Sequence, residues 1–201
     1  MQIKHVDESQ LESDLEARYA YLAEFMNFTA EDVKAIHATV AKLAPLVPGI
    51  VERTYERLLS YDATARHFLP RQHGYDGPVP QSLQSLTERN EQIQFRKEHL
   101  TRYLMSLMGR AYDAKMVAYL DMVGKMHTPK AGNKEIVVPL VQMNALLGLM
   151  SDVLIETLAE IGLPPDEFLL TLRAFNKLLW IQNDLINRHY QAEERPAASN
   201  A

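Results

Sequence analysis

Apolar residues in this chain recur at spacings of three and four along nearly its whole length, and the residues that interrupt such runs gather between them. The 8 glycines and 10 prolines concentrate in punctuating stretches such as "PRQHGYDGPVP" at 70–80 and "GLPPDEF" at 162–168. No segment alternates apolar and polar side chains as a half-buried strand does, and nothing repeats at a fixed period. The pattern predicts an all-α chain of seven or eight helices in a single domain over 1–201, with an N-terminal extension at 1–25 and a frayed tail at 192–201.

Several boundaries are legible. An amphipathic segment runs from Ser9 to Ala23. In "FTAEDVKAI", Thr29 can cap a helix, Asp32 closes the capping box and Phe28 precedes the cap as a hydrophobic staple. That helix is expected to reach about Leu46. Pro48 suits the first turn of the next, 48–60, which carries Val51, Thr54, Tyr55 and Leu58 on one face. A short helix, 63–68, precedes the 70–80 loop. Further helices are expected over 81–109, from Asp113 to the "HTP" at 127–129, over 136–161 and over 166–191.

Composition narrows the function. With 201 residues and 47% hydrophobic side chains the chain can bury a real core, which excludes global disorder. Having no cysteine, it holds no disulfide framework, no cysteine-ligated zinc, no iron–sulfur cluster and no thiol nucleophile, which suits a reducing cytoplasm. The net charge is −5, and only the central residues 62–111 are net positive, so no broad basic face exists for nucleic acid. The most apolar stretch, Ile136–Met150, is interrupted by Pro139, Gln142 and Asn144, and no membrane partner is expected.

One histidine has a setting for chemistry. Met116, Leu120, Val123 and His127 share one helix face, so His127 continues an apolar stripe at a helix C-terminus. Its Nδ1–H can reach the carbonyl one turn back, at Val123, leaving Nε2 as an outward-facing acceptor or metal ligand. Gly124 would let a flat ligand lie close to the backbone. Tyr55 stands on the apolar face of its helix with a hydroxyl that needs a partner or water. Leu100 and Leu149 suit either core or the wall of an apolar cavity. No HxxxH, HExxH or ExxH spacing exists, and GxGxxG, P-loop and GxSxG motifs are absent. A single histidine is too few ligands for zinc, calcium or magnesium, and enough for haem iron, to which the porphyrin supplies four nitrogens.

"FTAED…TY", "RK…RYLMSLMGRAYD" and "YLDMVGKMHTPKAGNK" resemble a protoglobin, the single-domain branch related to globin-coupled sensors, over about residues 20–190. The resemblance implies a globin-like helical sandwich and a haem b held by one proximal histidine, which falls on His127. It implies a distal tyrosine, which falls on Tyr55, and apolar residues over the distal face, which fall on Leu100, Leu104 and Leu149. Where some members carry tryptophan before that tyrosine, this chain has Thr54. Val123 stands beside the proximal histidine. Arg96, Lys97 or His99 could meet the haem propionates or the distal site, His99 even as a sixth ligand.

The implied function is binding of dioxygen, carbon monoxide or nitric oxide, for sensing, storage or detoxification. Peroxidase-like or nitric oxide dioxygenase side activity stays open. The alternative is a non-haem helical interaction module. The resemblance also favours a homodimer through the last two helices. Phe168, Leu172, Phe175, Leu179, Gln182 and Ile186 form one stripe, and Met143, Leu147, Met150, Leu154 and Ile161 form its partner. Trp180 and Tyr190 are candidate anchors for such an interface.

Overall fold

The computed structural model describes residues 3–191, all-α throughout, so the tail expected to fray lies outside the described residues. The amphipathic segment near the N-terminus is two helices, α1 (Glu8–Ser13) and α2 (Leu15–Phe25). Asp14 divides them. Its carboxylate accepts the Glu16 and Ala17 N–H groups at 2.9 and 3.1 Å, which starts a new helix where the apolar periodicity alone would continue the old one.

Helix α3 (Ala30–Leu43) begins as its sequence predicts. The Asp32 carboxylate accepts the Thr29 N–H at 2.8 Å, and Phe28 is buried edge-on to Tyr112 with ring centroids 5.6 Å apart. Asp32 also takes Lys177 Nζ at 2.8 Å from the far end of the chain. The helix stops at Leu43 rather than Leu46 because Pro45 cannot donate to it, and Ala44–Leu46 forms a 3-10 turn into α4 (Val47–Leu59). A short α5 (Asp62–Ala65) follows.

The long helix expected from residue 81 starts ten residues later, as α6 (Glu91–Gly109). Ser82 and Ser85 bond to each other's backbone, and Asn90 Oδ1 accepts the Thr87 N–H at 2.5 Å. These local side-chain bonds replace helical ones. Helix α7 (Ala114–Lys125) starts on Asp113, whose carboxylate accepts the Met116 N–H at 2.9 Å. Residues 136–138 stay outside the next helix because Pro139 disfavours helical backbone before it, so α8 spans Leu140–Glu160. In place of a helical bond, the Val138 N–H donates to the His127 carbonyl at 3.0 Å. Helix α9 (Pro165–Asn187) closes the fold.

Helix α9 packs against α3, α7 and α8 and supplies the centre of the core, where Leu178, Ile181 and Leu185 meet Ile36, Leu43 and Leu120 without solvent exposure. Gly124 belongs to this packing. A Cβ there would stand 2.7 Å from Ile186 Cα and 3.0 Å from the Leu185 carbonyl oxygen. The glycine therefore admits the backbone of α9 and not a flat ligand, which corrects the sequence reading.

Helix α8 has the length and composition of a membrane span. One side of it is nevertheless core, with Met143, Val153, Thr157 and Leu158 buried, and it packs on α4 and α9. The apolar stripe of α9 is likewise intramolecular: Phe175, Gln182 and Ile186 are buried, and Phe168 and Leu172 pack against the core. The apolar residues left outside are different ones, Val141 and Ile155 on α8 and Leu169, Leu170 and Trp180 on α9. Tyr190 is half-buried, its hydroxyl enclosed without a partner among the described residues, whereas Trp180 is 59% exposed.

Candidate functional site

The main cavity has a volume of about 490 Å³, and its wall draws on α4, α6, α7, α8 and α9 together with the segments at 67–73 and 136–138. That volume falls in the roughly 300–1,000 Å³ range of small-molecule and cofactor pockets. His127 stands two residues beyond the end of α7 and lines it. Its Nδ1–H donates to the Val123 carbonyl at 2.7 Å, the bond that the helical spacing allows. Nε2 has no described protein partner. Burial, and secondarily the positive charge of Arg96, holds the imidazole down to about 4, so it is neutral at physiological pH with a lone pair on Nε2. Val123 lines the cavity beside it.

Tyr55 reaches the cavity from α4 and is 3% exposed. Its ring tilts against Phe68 with centroids 5.7 Å apart. Burial raises the phenol above its ordinary value, and the nearby Arg96 charge works against that rise, so the hydroxyl keeps its proton and remains a donor. The preceding Thr54 is fully buried, and its hydroxyl donates back to the Ile50 carbonyl at 2.8 Å. Its small size enlarges the cavity while the hydroxyl is spent on the helix.

Leu100 and Leu104 line the cavity from α6, one and two turns beyond Arg96, which lines it as well. His99 also reaches the wall, its ring 4.2 Å from that of Phe95. Two sequence candidates lie elsewhere. Lys97 turns from the cavity and is buried in ion pairs with Glu52 and with Glu88, the latter at 2.7 Å. Burial disfavours its charge, but the hydrogen bonds to the two carboxylates override this and raise it above the ordinary lysine value. Leu149 is half-buried and absent from the wall. On α8 the wall is built by Gln142, Met143, Leu146, Leu147 and Met150, and at 100° per residue Leu149 is rotated off that face.

Two features of the wall escape the sequence reading. His67 lines the cavity with Nε2 buried and without a hydrogen-bond partner among the described residues. Ile136 and Val138 enter from the segment that apolar periodicity assigns to the start of α8. Met143, Leu147 and Met150 were within reach, since they lie on one helical stripe.

The family model described as Protoglobin matches residues 15–195 of the chain. The globin domain of the Geobacter sulfurreducens globin-coupled sensor shares the fold, with a TM-score of 0.68 at 16% identity, covering 86% of this chain and 97% of that one. Comparison with curated proteins returns no match.

Proposed function

Because the chain belongs to the protoglobin family, we propose that it binds haem b in the main cavity, where His127 Nε2 would be the protein's ligand to the iron and dioxygen, carbon monoxide or nitric oxide would be the exchangeable ligand. Haem-based gas binding in general is what membership carries. The observation that supports the assignment to this histidine is the 2.7 Å bond from Nδ1–H to the Val123 carbonyl, which fixes the tautomer and leaves a neutral Nε2 at the cavity.

The residues present fit such a group. The wall is mostly apolar, as a porphyrin face requires, and the exposed guanidinium groups of Arg102 and Arg110 stand at it. Charged donors at a rim pair readily with carboxylates that also reach water. When bound, haem supplies an iron that takes up diatomic ligands. The chain supplies the rest. Val123 orients the imidazole, Tyr55 holds an O–H donor at the cavity, and Leu100, Leu104 and Met150 exclude water. A cytoplasmic homodimer through α8 and α9 completes the reading, supported by the apolar residues those helices expose. Sensing, storage and detoxification share this site, and the geometry favours none of them.

The test is the absorption spectrum of the protein reconstituted with haemin, oxidised, reduced and reduced under carbon monoxide. The expected result is a Soret band that shifts with carbon monoxide and is weakened or lost in His127→Ala. A fully retained, shifting band in that variant would assign the ligand elsewhere. A six-coordinate reduced spectrum would point to His99 or His67 as a second ligand. A colourless protein would favour a non-haem helical module.

A further inference from the structure

The cavity wall carries three arginines, Arg96, Arg102 and Arg110, and four histidines, yet no aspartate or glutamate among the described residues lines it. Lys97 shows how this fold usually treats a buried cation, with two carboxylates turned onto it. Arg96, its neighbour in sequence, pairs with no carboxylate among the described residues. Its Nε is buried without a hydrogen-bond partner, and the group that its charge acts on most directly is the Tyr55 phenol. Arg96 as a whole is half-buried, and a guanidinium N–H shut off from water without an acceptor is costly. An anion in the cavity would supply that acceptor.

Two sources can supply that anion. Haem carries two propionates, and Arg102 and Arg110 are exposed at the rim, where those carboxylates can meet both the protein and water. Arg96 stands deeper, one turn before Leu100 and beside Tyr55. Resting on the haem reading above, we propose that Arg96 and Tyr55 form a binding site for a small monovalent anion held at the open coordination position of the iron, with the guanidinium N–H groups and the phenol O–H as its donors. The ligand class is that of nitrite, azide and fluoride. A planar guanidinium suits this role because it stays charged under desolvation and presents several donors at once. Of the other wall groups, His67 and His99 are both pushed down, chiefly by burial, so they add hydrogen-bonding capacity at neutral pH and little charge. Neutral carbon monoxide gains nothing comparable from Arg96.

The experiment uses the haem-reconstituted protein as wild type, Arg96→Leu and Arg96→Lys. Azide and fluoride are titrated onto the ferric form and carbon monoxide onto the ferrous form, each followed by the Soret shift. Haem release to excess apomyoglobin is measured in parallel. Arg96→Leu is expected to weaken azide and fluoride binding by about tenfold or more, the equivalent of one lost charge-assisted contact. Carbon monoxide affinity and haem release should stay as in wild type, and Arg96→Lys should recover part of the anion affinity. Equal anion affinities in wild type and Arg96→Leu would overturn the proposal. So would faster haem release from Arg96→Leu with unchanged anion affinity, which would give Arg96 to a propionate. A protein that takes up haem but shows no Arg96 effect defeats this inference alone, whereas one that forms no Soret band defeats the haem reading and this inference with it.

Discussion

At the level of single residues, His127 combines two properties that ordinarily conflict. It is oriented by a strong local hydrogen bond, yet burial disfavours its charged form and holds it down to about 4. In the unfolded chain the same imidazole titrates near its usual value of about 6.5. Between those values the unfolded chain binds a proton that the folded chain refuses, so stability present above the higher value is lost as the pH falls toward the lower one. The haem-free protein should melt at progressively lower temperature across this window. His127→Phe should remove up to about 3 kcal/mol of that pH-dependent loss, the linkage equivalent of the shift. Thermal melts of both proteins at stepped pH check this, and parallel curves would show that the imidazole does not drive it. His67 and His99 are lowered too, chiefly by burial, and add to the loss in the same direction.

The placement of His127 and its Nδ1 bond were readable because their reasons are local: an apolar stripe, a helix end and a carbonyl four residues back. Lys97 was not, because its neighbours Glu52 and Glu88 come from separate segments and no local pattern announces them. Arg96 and Lys97 are adjacent cations in the sequence, and only tertiary structure turns one into the cavity and the other onto carboxylates.

Among the elements, the contact of α7 with α9 is the tightest constraint, because Gly124 meets the backbone of Ile186 and Leu185 as well as the His189 ring. Gly124→Ala should destabilise the protein by about 1–3 kcal/mol, as overpacking of a close contact does, despite alanine's better helix propensity. Urea unfolding of the variant measures this, and an unchanged or higher midpoint would mean that α7 slides without cost. The helix ends show what a sequence encodes well. Asp32 and Asp113 announce their helices through caps, whereas the start of α6 is displaced by serine and asparagine bonds that compete with helix over a stretch of suitable apolar spacing. Leu149 was misassigned for a related reason. Position along a helix is easy to read, but rotation about its axis by one residue changes which side chains meet the cavity.

Across the whole molecule, the all-α architecture was legible from periodicity and punctuation, while the division between inner and outer apolar surface was not. The stripe of α9 from Phe168 to Ile186 is core, and the exposed residues are Val141 and Ile155 on α8 with Leu169, Leu170 and Trp180 on α9. Val141, Gly148 and Ile155 repeat at intervals of seven on the outside of α8, and the small exposed Ala145 and Gly148 permit close approach. If two copies pair there, Ile155→Arg should convert a dimer to a monomer while the Soret spectrum stays unchanged. Light scattering after size exclusion reads the mass, and a wild-type monomer at high concentration would end the dimer reading.

The bond from the Val138 N–H to the His127 carbonyl makes a closed ring of the chain between them. Within the ring, Pro129–Ala131 forms a 3-10 turn and the Asn133 side chain donates to the Arg71 carbonyl at 2.9 Å. The entropy of closing a flexible ring grows only logarithmically with its length. The exposed residues 134 and 135, beyond those tethers, are thus the place where this chain can accept inserted sequence while His127 keeps its position.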